Sequence, residues 1–430
     1  MRRILLVGLV LVLAGCAAPQ ADTTLEPTIG EVDGVTYNQS IDVTAADGFT
    51  DEELDLLVKR SMARIERIRG LPFKRLVEVE VITREEYRQQ RRNRSVGEPR
   101  RQFENQVWEG MFVVGEDRDV TEVRSSTFGE SVQGYYLPGR DRIVIVSDEE
   151  TPTISKRTLV HELVHALQDQ QFGLQNRPDT QDGQLARNGV VEGEASLLPR
   201  RYLNRCGAEW SCVQPETSSG DGGGIDRGMY QIIIHPYTRG PAFVETFQVR
   251  DGWAAVDGLH EQFPTTTEQV IHSGKYPDEG AMEVQVPDRS DDNWSRLDHD
   301  PEAERIGEAA VFSMLLVNDV IDVADPRNYR HAASAGWGGD RLVPYRSDDG
   351  DEFGYVWTLT WDSTDDAAEF HDAYRDLLSS HDAEQVSENR YVIPDGPFAD
   401  AFRVTRDGRT VRIVNAPELE DLADVYQPSG

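Results

Sequence analysis

The sequence predicts an α+β protein, and three observations carry that prediction. Stretches with apolar residues at helical spacing stand beside short runs that alternate apolar and charged residues. A Pro-Gly turn joins two β-rich runs just ahead of a long helical pattern. The second half interleaves strands and helices without the regular βαβ alternation of a parallel sheet.

Met1-Arg2-Arg3, the apolar run 4–13 and Ala14-Gly15-Cys16 describe an export signal over residues 1–15, too short for an ordinary membrane span. Residues 16–49 carry few large apolar groups and read as a flexible tether. Residues 50–69 form an amphipathic helix with Leu54, Leu57, Val58, Met62, Ile65 and Ile68 on one side. Val77, Val79 and Val81 alternate with Glu78 and Glu80 as a half-buried strand, and a helix follows over 84–92. Residues 132–136 and 142–146 bracket a hairpin turn at 137–141. Leu159, Val160, Leu163, Val164 and Leu167 band a helix over 154–172, which Pro152 and Thr153 start and Gly173 stops. A second helix continues through Leu197, Leu198, Tyr202 and Leu203, and the Gly-rich run 218–224 is a loop. Helical patterns at 242–249 and 254–262 lead into a Thr-rich segment ending at His272. From 277 the character changes to a helix over 305–323, a turn at 336–341 that buries Trp337, and strands at 342–345 and 355–361. A helix over 365–378, a strand at 390–393 and a hairpin over 402–414 complete the chain. The expected division is a domain over 50–276 and a C-terminal α+β region over 277–430 without a chemical motif of its own.

The chemistry concentrates in His161-Glu162-Leu163-Val164-His165. On a helix the two histidines lie one turn apart on one face. That spacing suits two imidazoles gripping one zinc ion, with Glu162 beside them to activate water. Hydrolytic zinc sites take three protein ligands. The residues offer Glu192 or Glu194 as the third; they stand about 200° apart around a helix, so one of them faces the metal.

HELVH followed by a Glu-Gly-x-Ala helix, here Glu192-Gly193-Glu194-Ala195, resembles the gluzincins, a clan of zinc peptidases. The resemblance implies a zincin-like domain: a small sheet, the HELVH helix and a Glu-bearing helix. It makes Glu192 the third ligand and sets Glu194 behind the ligands. It further implies that Glu162 acts as general base in peptide hydrolysis and that the hairpin lines the substrate cleft. Two departures stand out. The gap from His165 to Glu192 is long, and Ser196 stands where several gluzincins carry an Asp that orients a histidine. Asp169 and Glu194 are the candidates to replace that Asp. The oxyanion donor of the clan has three candidates here, Tyr237, Arg239 and His272. The remaining histidines, His260, His299, His331, His371 and His381, lack ligand spacing and read as surface residues.

Leu13-Ala14-Gly15-Cys16 resembles a lipobox, which implies cleavage before Cys16 and lipidation there. Arg2-Arg3 resembles a twin-arginine export signal. In an oxidising exterior, Cys206 and Cys212 are expected to form a disulfide. The 430 residues carry 77 acidic against 44 basic groups, a net charge of −33. Such a surface repels itself at low salt, and molar salt screens that repulsion to a few Å. The composition resembles that of haloarchaeal proteins, and it disfavours nucleic-acid binding, which wants a basic patch. Together these features resemble a haloarchaeal extracellular zincin-like lipoprotein, acting on a peptide or protein from the outer face of the membrane. The alternative is a zincin-fold surface protein that binds without cleaving.

Overall fold

A computed structural model of the chain describes residues 25, 28–92, 97–128, 132–149, 152–213, 225–350 and 352–428. The export signal, Cys16 and the Gly-rich run 218–224 lie outside the described residues. The chain is mixed α+β, with strands labelled in chain order below.

The expected tether ends earlier than 49. β1 (Glu31–Val32) and β2 (Val35–Thr36) pair as a short hairpin against the first long helix, Asp51–Arg69. Val32 and Phe49, 1% and 3% exposed, supply enough apolar surface to dock this segment. The helix itself starts with a capping box, Thr50 with Glu53, and stops at Gly70 in the left-handed conformation.

β3 (Glu78–Ile82), β4 (Gly134–Leu137) and β5 (Arg142–Val146) form a three-stranded sheet in the order β3-β5-β4. β3 runs parallel to β5 and β4 antiparallel to it, which leaves β4 at one edge. The HELVH helix, Lys156–Phe172, is capped by the Ser155 hydroxyl, which accepts the Thr158 N–H. Its apolar band, including Leu159, Leu163 and Leu167, packs into one core with Ile143 and Ile145 of the sheet and Leu57 and Ile65 of the first helix. The following helix, Gln181–Leu203, begins earlier than its apolar pattern suggests, because Thr180 caps it through the Gly183 N–H.

The second half builds a seven-stranded antiparallel sheet from β6 (Trp294–Arg296), β7 (Trp337–Ser347), β8 (Phe353–Trp361), β9 (Glu384–Ser387), β10 (Arg390–Val392), β11 (Ala401–Asp407) and β12 (Thr410–Ala416). Their order is β6-β7-β8-β12-β11-β10-β9. The Gly-Trp-Gly-Gly run is the bulged start of β7 rather than a turn, although Trp337 is fully buried as expected. A Cβ on Gly339 would meet the Met282 carbonyl oxygen at 2.5 Å, so glycine there admits the backbone of a passing segment. The helix expected over 305–323 is confined to Glu308–Val317. Gly307 and Asp319, both with positive φ, bound it.

The core does not break at 276/277. Helix Glu98–Gly110, inserted between β3 and β4, crosses over to cover part of one face of the large sheet, and Val120–Phe128 packs against that helix. Phe103, Trp108, Met111 and Phe112 share a single cluster there with Leu342, Tyr355 and Trp357. The opposite face carries Val343, Tyr345, Val356 and Val414 against the helix Asp421–Val425. No helix among the described residues is long and apolar enough to cross a membrane.

Candidate metal centre

His161 and His165 project from one face of the HELVH helix and meet Glu192 from the neighbouring helix. The two Nε2 atoms lie 3.1 Å apart, and they stand 3.2 and 3.3 Å from Glu192 Oε2. Four ligands around a zinc ion at about 2.05 Å define a tetrahedron whose edge is about 3.3 Å. The three atoms therefore form one face of such a tetrahedron. Glu192 Oε2 is buried and accepts no hydrogen bond, although two histidine nitrogens face it. A cation seated just above that face, at the centre of the tetrahedron, would satisfy all three atoms, so the donor set fits zinc. Among the described residues, two further carboxylate groupings converge to within 4.8 Å, Glu109-Glu116-Asp400 and Glu268-Glu279-Asp362, but neither contains a histidine.

Both imidazoles are held as Nδ1-protonated tautomers, each for a local reason. Pro199 has no N–H, so the carbonyl four residues earlier, that of Ala195, lacks its helical donor. His161 Nδ1 takes that carbonyl at 2.8 Å. A backbone oxygen thus does the work expected of the Asp that Ser196 replaces. His165 Nδ1 meets Gln168 Oε1 at 3.0 Å. The Gln168 amide is fixed the right way round because its Nε2 donates to the Val191 carbonyl and to Glu194 Oε2, at 3.0 and 2.9 Å. With Nδ1 donating in both rings, each Nε2 lone pair is aimed at the centre. Without a cation, burial pushes the His165 imidazolium down, but the Glu192 carboxylate outweighs it and holds His165 up to about 9. Burial likewise pushes Glu192 up, and the two histidines hold it well below the usual carboxylate range.

Glu194 points the other way round the helix, into the core. Arg69 donates to it, and His260 Nε2 lies 2.7 Å from its Oε2. These charges outweigh burial and hold Glu194 well below the ordinary value. Glu194 therefore stands behind the ligands as expected, acting on His165 through Gln168. Asp169 does not. It accepts from the Tyr136 hydroxyl and from the Gly139 and Leu174 N–H groups, so it pins the β4–β5 hairpin and touches neither ligand histidine. His260 is no surface residue: it is 5% exposed and stacks on Phe172. Its role was invisible in the sequence because its partners lie 66 and 88 positions away.

Glu162 sits beside the histidines, 7% exposed, with Oε2 accepting the Tyr136 N–H of β4 at 2.8 Å. Burial pushes its carboxyl up, and the two histidines oppose that. Tyr237 stacks over His161, with centroids 6.3 Å apart, and its hydroxyl hydrogen-bonds Glu192. It reaches the site because two helices cross almost in contact. A Cβ on Gly193 would lie 2.5 Å from the Gly240 carbonyl, and one on Gly240 2.3 Å from the Gly189 oxygen. The glycines around Glu192 thus serve the approach of the segment that carries Tyr237. The other two oxyanion candidates are engaged elsewhere. His272 lies 3.0 Å from buried Glu308, and Arg239 donates to the Ile271 carbonyl. Neither lines the cleft.

Two cavities meet at this centre, one of about 580 Å³ and one of about 320 Å³, and His161, Glu162 and Tyr237 border both. Gly134, Tyr135 and Tyr136 of edge strand β4 line the smaller one, as expected of the hairpin. Beyond the site, Cys206 and Cys212 form the expected disulfide.

A family model described as a domain of unknown function (DUF8575) matches residues 295–426, which lie in the large-sheet half and contain none of His161, Glu162, His165 and Glu192, although Arg327 borders the larger cavity. No curated protein and no solved structure gives a significant match to the chain.

Proposed function

We propose that this chain is a zinc-dependent peptidase of zincin-like architecture, exported and held at the outer face of the membrane by lipid on Cys16. The observation that carries the reading is the near-tetrahedral face formed by His161 Nε2, His165 Nε2 and Glu192 Oε2, with the Glu162 carboxylate beside it. The small mixed sheet, the edge strand along the cleft and the two helices that supply the ligands support the zincin-like assignment. A disulfide suits an oxidising exterior.

A bound zinc ion would supply Lewis acidity, polarising a carbonyl and acidifying water. The protein does the rest. Tyr136 N–H holds one oxygen of Glu162, leaving Oε1 free to take a proton from the attacking water and return it to the leaving nitrogen. Tyr237 borders both cavities, and its hydroxyl, once released from Glu192, would be the donor to an oxygen that gains charge. Along β4, Tyr135 and Leu137 bond inward to β5, so the Gly134 N–H and C=O and the Tyr136 C=O turn outward to pair with an extended peptide, while the Tyr136 N–H stays with Glu162.

Glu162→Gln tests the reading. The variant should keep near one zinc per chain while losing peptide hydrolysis by about 10³-fold or more. Equal hydrolysis by variant and wild type would end it, as would failure of the folded wild type to take up zinc.

A further inference from the structure

The cleft is basic in a protein that is not. Against 77 acidic and 44 basic residues overall, the larger cavity is lined by Arg157, Arg200 and Arg327, and the smaller by Arg177 and Arg187. Among the described residues, none of these five guanidinium groups forms an ion pair with a carboxylate. The carboxylates bordering the same cavities are otherwise engaged: Glu162 and Glu192 belong to the centre, and Glu245 lies 3.5 Å from Arg201. Elsewhere some arginines find carboxylates, as Arg69, Arg75, Arg142 and Arg305 do, and others do not, so what sets the cleft apart is five unpaired arginines around two joined cavities.

Position strengthens the point. Arg157 lies in the first turn of the HELVH helix, where the dipole disfavours a cation and where no acidic residue offsets it. Arg200 closes the Glu192 helix, and Arg327 reaches the cleft from the second half of the chain. Three separate elements thus bring exposed arginines without an ion-pair partner to one space. Arg187, 5% exposed, has a buried Nε without an acceptor on the other side of the centre. Guanidinium forks pair with carboxylates in a bidentate fashion, and they do so more strongly in a partly enclosed groove than on open surface.

We propose that the cleft selects acidic peptides, with carboxylate side chains on both sides of the scissile bond and the stronger preference on the side of Arg157, Arg200 and Arg327. The proposal rests on the peptidase reading above and names its substrate class.

The test uses the full-length, zinc-loaded Glu162→Gln chain at the lowest salt that keeps it folded, since molar salt screens exposed pairs. Fluorescence anisotropy is read with acetylated, amidated peptides of one length. One is rich in Asp and Glu, one is its Asn and Gln counterpart, and one carries Lys at those positions. A free-carboxyl version of the amide peptide separates chain-end recognition from side-chain recognition. The acidic peptide should bind at least about ten-fold tighter than its amide counterpart. Replacing Arg157, Arg200 and Arg327 together by Gln should shrink that gap to about two-fold. Unchanged zinc content and thermal midpoint serve as the folding control. If the triple variant misfolds, the single Arg200→Gln and Arg327→Gln variants should each narrow the gap.

Equal binding of acidic and amide peptides, preference for the Lys peptide, or a gap that survives the arginine replacements would overturn the proposal. So would a gap reproduced by the free chain end alone, or no binding of any peptide at millimolar concentration. Hydrolysis by the wild type is scored separately. Acidic preference without cleavage ends the peptidase reading and keeps the acid-selecting cleft. Cleavage without preference does the reverse.

Discussion

Glu194→Ala probes the layer behind the ligands. The change leaves Arg69, 1% exposed, with Asp257 as its remaining carboxylate, and that partner's side chain is 33% exposed. It also strips an acceptor from His260, whose side chain is 0% exposed, and from Gln168. Breaking one partner out of a buried ion pair costs about 3–5 kcal/mol, because the other charge stays behind. With ~2.1 cal/mol/K per residue over roughly 380 ordered residues, the unfolding entropy is about 0.8 kcal/mol/K. A loss of about 4 kcal/mol then lowers the thermal midpoint of a cooperative transition by about 5 °C. The assay is calorimetry of metal-free protein at fixed salt and concentration, followed by zinc competition titration. Zinc affinity should fall by about 10–100-fold, since Gln168 loses an anchor and His165 its orientation. The double variant Arg69→Met/Glu194→Gln removes both charges and keeps an amide oxygen for His260, so it should recover more than half of the midpoint loss. A single variant within about 1 °C of wild type, or a double variant no better than the single, would refute the account.

Three further outcomes follow from the same geometry. Pro199→Ala restores an N–H that competes with His161 for the Ala195 carbonyl. The helix should gain about 1–2 kcal/mol while zinc affinity drops about ten-fold, and a parallel rise in both would contradict the assigned role. Asp169→Ala removes three hydrogen bonds at the hairpin. It should cost about 2 kcal/mol in denaturant unfolding with zinc affinity held within about three-fold, because no ligand is touched. Glu109 and Asp400, 4% and 3% exposed, hydrogen-bond to each other, and burial together with neighbouring carboxylates pushes Asp400 up to about 7. A carboxyl raised on folding stabilises fully below its unfolded value and loses that contribution as pH climbs through the folded one. Glu109→Gln removes the shared proton, so its stability relative to wild type should rise by about 1 kcal/mol per pH unit as pH climbs from about 5 to about 7. Parallel pH curves for the two proteins would count against the shared proton.

His161, Glu162, His165 and Glu192 were legible because their relation is mostly helical geometry plus one neighbouring helix. The choice against Glu194 follows from the same geometry: half a turn away, it faces Arg69 and the core. What orients the histidines was not legible, with one exception. Gln168 and His260 act through contacts between distant segments, which no local pattern encodes. The Ala195 carbonyl did leave a trace, since a proline four residues on announces an unpartnered acceptor inside a helix. Tyr237 could be ranked above His272 and Arg239 only once the glycine-mediated helix crossing was known. The helices at 98–110 and 120–128 were missed because the apolar face of the first matches a sheet formed more than 200 residues later, and the second packs against the first.

That crossover bears on how the matched segment travels between proteins. Residues 295–426 contain the strands of the large sheet and the helix Thr364–Ser380. They do not contain Phe103, Trp108, Met111 and Phe112, which seal part of the same face. Cut out and expressed by itself, the segment would present a bare aromatic and aliphatic floor to water, and it should aggregate or stay partly molten. In this chain that cover is spliced into the middle of the small sheet. The two halves thereby share one hydrophobic core.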